Sequence, residues 1–228
     1  MKRSLFVITG TDTGVGKTML ACLLTGYLRD AGVPAVALKP VCAGDRKDAR
    51  RLRAASGCAL TLDETNPWHF RVPLAPLLAA RRLKRTVKLA QVLAHVRRME
   101  RRFQAVLVEG AGGLLSPLGE KFDSRDLILA LRAAPIVVCP NRLGAINQSL
   151  LVLAALPRNC SRKAQVVLMS PERPDSAARS NPRLLSELLG DGRVHVLPWL
   201  EYPRQCGRAL SNRRIHEAIG SIVRSCLV

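Results

Sequence analysis

Short apolar runs alternate along this chain with longer stretches in which apolar residues recur every three or four positions. The runs predict strands over Ser4–Thr9, Pro34–Leu38, Ala105–Val108, Pro135–Cys139, Gln165–Met169 and Arg193–Leu197. The second of them runs on into Lys39-Pro40-Val41. The helical spacing predicts helices over Met19–Ala31, Lys47–Ala55, Val87–Phe103, Ser124–Arg132, Gly144–Leu156, Pro182–Leu189 and Ser211–Val223. Residues 57 to 76 carry Asp63, Asn66-Pro67, Pro73 and Pro76 and read as loop. Buried strands separated by helices imply an α/β fold, a mostly parallel sheet covered on both faces. Ligands then gather at the carboxyl ends of the strands. No repeat, linker or low-complexity block interrupts residues 1 to 228, so a single domain is expected.

The first strand runs into Gly10-Thr-Asp-Thr-Gly-Val-Gly-Lys17-Thr18, followed at once by the first helical pattern. This segment is read against the phosphate-loop pattern G-x-x-x-x-G-K-[ST], taking Gly10 as first glycine, Gly16 as second and Thr18 as last. Backbone N–H groups of Gly14, Val15, Gly16 and Met19 would wrap a polyphosphate at the positive end of the helix. Lys17 would reach the outer phosphates and the Thr18 hydroxyl would bind Mg²⁺. The loop makes the fold class a P-loop NTPase fold.

Other strand ends carry suggestive chemistry. Lys39 precedes Pro40 at the end of the second strand, and Asp48 follows nearby among Arg46, Lys47, Arg50 and Arg51. Glu109 ends an apolar strand and precedes Gly110-Ala111-Gly112-Gly113. A carboxylate so placed suits Mg²⁺, which wants oxygen ligands. The small residues let a backbone approach a phosphate closely.

Composition changes this picture in one respect. Of 228 residues 48% are hydrophobic, enough for a substantial core, but the net charge is +19. Arginine dominates, in Arg46 to Arg53, Arg81 to Arg85, Arg97 to Arg102 and Arg213-Arg214. Such a field attracts polyanions. Only 4% of residues are aromatic, and no basic run has interleaved stacking residues, so the clusters read as solvated helix faces and a nucleic-acid partner is not expected. No apolar run reaches the roughly 18 residues of a membrane span. The charged N-terminus leads into the phosphate loop and reads as a strand, not a signal peptide. Cysteines at 22, 42, 58, 139, 160, 206 and 226 form no C-x-x-C pair, as in a reduced cytoplasmic protein without a thiolate metal site.

Taken together, the motifs resemble the dethiobiotin synthetase family. The resemblance is carried by the phosphate loop, Lys39-Pro40-Val41, Asn66-Pro67-Trp68-His69-Phe70, Val108-Glu-Gly-Ala-Gly-Gly113, Leu143-Gly-Ala-Ile-Asn147 and Pro198-Trp199-Leu200, in the family's order along nearly the whole chain. It implies an ATP- and Mg²⁺-dependent enzyme of biotin synthesis that joins CO₂ to 7,8-diaminononanoate and closes the cyclic urea through a carbamic–phosphoric anhydride. It further implies that Lys17, Lys39 and Thr11 serve the reacting groups, and that Thr18, Asp48 and Glu109 hold Mg²⁺. Gly110, Ala111 and Gly112 would line the nucleotide. The base would lie by Met169, Ser170, Leu197, Pro198 and Trp199. Ala43 and Gly144, Ala145, Ile146 and Asn147 would meet the substrate, the last four from the partner of a homodimer.

The chain departs from the family at several places. Gly14 stands where an acidic residue is common, Ala43 where a serine hydroxyl contacts substrate, and Leu77 where a histidine is common. Met169 or Ser170 stands where an asparagine reads adenine. A thioether packs on a purine but cannot supply paired amide hydrogen bonds. Glu201 lies one place from the family's acidic position after Pro-Trp-Leu. A partitioning or site-selection ATPase is the alternative reading and would use the basic surface. It would carry an early lysine in the loop, where this chain has Asp12. A cobyrinate amidase-like synthetase would need a further glutaminase domain, and a degenerate relative with a binding role only would not need Lys17, Thr18, Asp48 and Glu109 together.

Overall fold

A computed structural model describes residues 3–200 and 209–227. Six strands form one parallel sheet: β1 (Ser4–Gly10), β2 (Ala35–Leu38), β5 (Ala105–Glu109), β6 (Ala134–Pro140), β7 (Gln165–Met169) and β8 (Val194–Leu197). Their order is β2-β5-β1-β6-β7-β8. The inner strands are apolar on both faces because both are covered, whereas the edge strand β8 carries His195 and an exposed Val196. Phe6 and Ile8 of β1 join one core cluster, with α1 (Lys17–Asp30) and the last helix, α10 (Arg213–Leu227); Val7 between them joins the other. That second cluster is closed by α5 (Leu89–Arg102), α6 (Ser124–Leu131), α7 (Ala145–Ala155) and α9 (Ser176–Leu189). The α/β class and the predicted strands of this sheet therefore stand, with ends moved by a residue or so.

The expectation of loop over residues 57 to 76 is overturned. That stretch contains α3 (Leu62–Thr65), opened by a Thr61 and Glu64 capping box, and β4 (Trp68–Phe70). β4 pairs in parallel with β3 (Val41–Ala43), Cys42 opposite His69, in a separate two-stranded sheet. Two further helices were not read from the sequence, α4 (Pro76–Arg82) and α8 (Arg158–Ser161). Pro76 sits in the first turn of α4, where a missing N–H costs nothing. α2 (Lys47–Ala55) lies as expected.

Helix α9 begins six residues before the expected Pro182, at Ser176, after Asp175 caps it through the Ala178 N–H. Proline inside a helix strands the carbonyl four residues back. Here that carbonyl, Ala178 O, accepts from Asn141 Nδ2 at 2.7 Å. Asn181 in turn donates to Asn141 Oδ1 and the Arg142 carbonyl. The proline is thus tolerated, and α9 is fastened to the end of β6 by the same bonds. Cys42, Cys58, Cys139, Cys160 and Cys226 are free thiols, and no described helix is long and apolar enough to cross a membrane.

Candidate active site

The carboxyl ends of β1, β2 and β5 open into a cleft of about 600 Å³. The loop after β1 forms one wall. Gly10 and Gly16 are separated by five residues, not the four of the strict phosphate-loop pattern, so Thr11 holds the first-glycine place. Thr11 needs no glycine there: its φ is not positive, and its N–H donates to the Val138 carbonyl at 3.0 Å. Gly16, by contrast, caps α1 with φ at 103°, and a Cβ on it would lie 2.8 Å from the Met169 methyl. Only glycine fits both demands. That contact also fixes where Met169 lies: its side chain packs against the phosphate loop.

The second wall is built from β2, α2 and α3. The Lys39 N–H donates to the Thr65 carbonyl, and the Lys39 carbonyl accepts from buried Asn66 Nδ2 at 2.7 Å. Arg46 bridges Asn66 Oδ1 and the Leu62 carbonyl, tying the start of α2 to the same loop. Asp48 lies in the first turn of α2, where the helix dipole favours a carboxylate. The backbone that carries Lys39 and Asp48 is therefore held on both sides.

These walls bring four of the expected side chains into contact. Glu109 at the end of β5 is 2% exposed. Its Oε1 accepts from Thr18 Oγ1 at 2.8 Å and from Lys39 Nζ at 2.7 Å. Lys39 Nζ also reaches Asp48 Oδ2 at 2.6 Å. Glu109 Oε2 is buried without a partner. An orphaned carboxylate oxygen, a hydroxyl and a second carboxylate at one point make an all-oxygen donor set, which fits Mg²⁺. Lys17, on the loop, folds back so that its Nζ donates to the Asp12 carbonyl at 2.6 Å.

The electrostatics of the two lysines differ. Burial, reinforced by the neighbouring Lys39 charge, brings Lys17 down to about 8 against the pull of Glu109. Burial also disfavours the Lys39 ammonium, but Glu109 and Asp48 together outweigh it and raise its pKa above the usual value.

Gly14, Gly16, Lys17, Thr18, Met19, Lys39, Ala43, Asp48, Glu109, Ala111 and Gly112 all line the cleft. Other expected residues stand back from it. Val15 is buried in the α1 core, and the N–H of Gly110 is spent on the Ile8 carbonyl. Thr11 Oγ1 is buried without a partner. The Leu197 side chain is fully buried in the core, so only its backbone can face a ligand, and its carbonyl already accepts from the Ser170 N–H. Pro198 is half-buried and Trp199 exposed beyond them. Gly144 caps α7 and does not open it; the helix starts at Ala145, which is fully buried and whose N–H is used by the Arg142 carbonyl. Ile146 and Asn147 follow in its first turn. Glu201 lies outside the described residues.

Sequence reasoning passed over Cys42, Asp45, Arg51, Ser116 and the Leu74-Ala75-Pro76 segment, which also line the cleft. Ser116 accepts from the Gly113 N–H and shapes the glycine turn after β5. The only signal for it was its place just past that turn. Asn141, at the end of an apolar strand, carried the same signal as Glu109 and was not singled out.

A phosphate loop feeding a helix, at the centre of a parallel sheet and facing a carboxylate on the adjacent strand, defines a P-loop nucleotide-binding fold. Solved structures agree at the level of fold. A ParA family ATPase from Chlorobium tepidum TLS covers 100% of this chain and 98% of its own at TM-score 0.61 and 10% identity. The MinD cell division protein of Aquifex aeolicus covers 97% and 95% at TM-score 0.59 and 15% identity. A family model described as an AAA domain matches residues 4–206. Sequence relatives are far nearer. An ATP-dependent dethiobiotin synthetase BioD of Anaeromyxobacter dehalogenans (strain 2CP-C) is 42% identical over 216 residues, 92% of this chain and 96% of that one. The protein of the same name from Bacillus subtilis (strain 168) is 32% identical over 201 residues, 86% and 87% of the two chains. The chain belongs to the ATP-dependent dethiobiotin synthetase family.

The lowered Lys17 predicts a pH effect on nucleotide binding. Its ammonium is present below about 8 and is lost as pH rises through that value. Affinity for a non-hydrolysable ATP analogue should fall between pH 7.5 and 9.5, by up to about tenfold per unit, and Lys17→Ala should be weak and flat over the same range. Calorimetric titration across that range checks this; a wild-type affinity that does not change with pH contradicts it.

Proposed function

We propose that this chain makes dethiobiotin from 7,8-diaminononanoate, CO₂ and ATP, as one domain over residues 1 to 228. The observation that carries this reading is the convergence of Thr18, Lys39, Asp48 and Glu109 at the mouth of the phosphate loop. Membership of the family supports it, since its relatives bear that activity in their names. The other P-loop reading, a partitioning ATPase, has the fold and the basic surface in its favour, but Asp12 stands where that class carries its early lysine.

One amine of the substrate attacks CO₂, loses a proton and becomes a carbamate. A carbamate oxygen then displaces ADP from the γ-phosphorus, giving a carbamic–phosphoric anhydride. The second amine attacks its carbonyl carbon, expels phosphate and closes the ring. No protein nucleophile is required, so the residues act by position and charge. Lys17 holds the outer phosphates of ATP through the charge that the Asp12 carbonyl now satisfies. Lys39 meets the negative charge of the carbamate and of the transferring phosphoryl group. Thr11, whose hydroxyl is buried behind the cleft, would have to turn to serve the substrate side. Thr18, Asp48 and Glu109 would hold Mg²⁺, which neutralises phosphate charge when bound. Gly14, Ala111 and Gly112 leave room for the phosphates. Ala43 offers the substrate its backbone, having no hydroxyl. Met169 lies beside the loop, packed at Gly16 and paired with Leu197, where the base would stack, with Ser170 and the exposed Trp199 following on the two strand ends. An apolar thioether there reads a base by stacking rather than by amide hydrogen bonds, which favours ATP less strictly than an asparagine would.

The reading is tested with purified protein, diaminononanoate, bicarbonate, Mg²⁺ and ATP, following phosphate and dethiobiotin together. Equal release of both is expected. Glu109→Gln should lose activity by about a hundredfold or more and recover in part with excess Mg²⁺. Phosphate release without dethiobiotin, or an unchanged Mg²⁺ titration in Glu109→Gln, contradicts the reading.

The chain is further proposed to be a cytoplasmic homodimer. Helix α7 is largely apolar past its first turn, yet Leu151 on it is 62% exposed and Leu143 before it 84% exposed, and α9, which packs against α7, also exposes Leu184 and Leu188. Exposed leucines on two neighbouring helices suit a second copy of the chain. The N-terminus of α7, with Gly144, Ile146 and Asn147, would then approach the other subunit's substrate. A bulky residue at Ala145 would break the core and tests nothing. Leu143→Arg with Leu151→Arg should give a monomer by light scattering and raise the KM for diaminononanoate more than that for ATP. A wild-type monomer with full turnover contradicts the shared site.

A further inference from the structure

The ammonium of Lys39 lies among the oxygens that would hold the metal. Its Nζ is 2.6 Å from Asp48 Oδ2 and 2.7 Å from Glu109 Oε1, the oxygen that also accepts from Thr18. Two converging carboxylates, one of them buried, require a cation between them. An ammonium meets that need incompletely, since Glu109 Oε2 keeps no partner. A dication with several oxygen ligands would use what the ammonium leaves.

We infer that Lys39 is a tethered stand-in for the dication, holding Asp48 and Glu109 in place without nucleotide and leaving them for the substrate side of the cleft when the metal arrives. The inference rests on the proposed metal role of Thr18, Asp48 and Glu109 and adds an exchange of cations to it. The Lys39 backbone is fixed by the Thr65 carbonyl and the Asn66 amide, so only its flexible stem has to turn. The cleft is lined by Lys17, Lys39 and Arg51 and by Asp45, Asp48 and Glu109, so its formal charges balance while Lys39 stays. Once a dication replaces it between the carboxylates, the Lys39 charge is free for an anionic carbamate. Metal loading and delivery of the lysine become one event. The carboxylates neither collapse on water nor repel one another in the meantime.

Binding of Mn²⁺ alone, read from the free-ion paramagnetic resonance signal, tests the exchange without any turnover. In the nucleotide-free protein Lys39→Met should bind Mn²⁺ at least about tenfold more tightly than wild type. In uniformly ¹⁵N-labelled wild type, the slowly exchanging Lys39 ammonium signal should vanish or shift when Mg²⁺ and a non-hydrolysable ATP analogue are added. An equal or weaker Mn²⁺ affinity in Lys39→Met overturns the exchange, as does an ammonium signal that persists with metal bound. If Lys39→Met does not fold, the ammonium signal of wild type decides. Wild type that takes up no Mn²⁺ even with the analogue present would overturn the metal role as well, whereas normal uptake with the analogue and no gain in Lys39→Met overturns the exchange alone.

Discussion

The site depends on how a buried carboxylate is kept charged. Glu109 sits at the end of β5 with almost no access to water, and an uncompensated charge there costs several kcal/mol. Thr18 from the phosphate loop and Lys39 from the end of β2 supply the compensation at 2.8 and 2.7 Å. Those two contacts join three strand ends, since β1 and β2 both flank β5 in the sheet. The rest of the wall follows from keeping Lys39 where Glu109 needs it. Asn66 and Thr65 hold its backbone, Arg46 holds Asn66, and α2 brings Asp48 to its other side. The region beyond β2 is thus organised around one ammonium, and Cys42 and Ala43 of β3 line the same cleft.

Much of this was legible in the sequence because it is local. Strand Gln165–Met169 and helix Lys47–Ala55 have the bounds that their apolar spacing predicts, Lys17 and Thr18 are marked by the phosphate-loop motif, and Glu109 by its place at a strand end. What escaped was short or non-local. β4 has three residues and follows Pro67, so neither alternation nor length announces it; only pairing with Val41–Ala43 makes it a strand. The prolines of the 57 to 76 stretch read as breaks, yet Pro76 starts a helix. Pro182 reads as a helix start, because nothing in the sequence says that Asn141, a distant residue, satisfies the carbonyl it strands. The strict phosphate-loop pattern is one residue too short for the stretch from Gly10 to Gly16, and Thr11 takes the first-glycine place without a positive φ. The contact between Lys39 and Glu109 spans 70 positions and has no sequence signature at all.

The excess of arginine has a partly structural explanation. Several arginines of the basic clusters accept the task of closing carbonyls or single carboxylates: Arg53 on the Leu60 carbonyl, Arg97 on Leu131 and Glu100, Arg81 on Glu120. Exposed pairs of this kind contribute little stability each. They do place the charges on solvated helix faces, as the spacing predicts.

The claim that one ammonium and one buried carboxylate organise the site is tested most directly by a double-mutant cycle on Lys39 and Glu109, read by urea unfolding. Each of Lys39→Met and Glu109→Gln should destabilise by about 3–5 kcal/mol or less where relaxation admits water. The double variant, with neither charge left, should be more stable than the sum of the two losses predicts, by on the order of 2 kcal/mol. Losses that simply add would contradict the account.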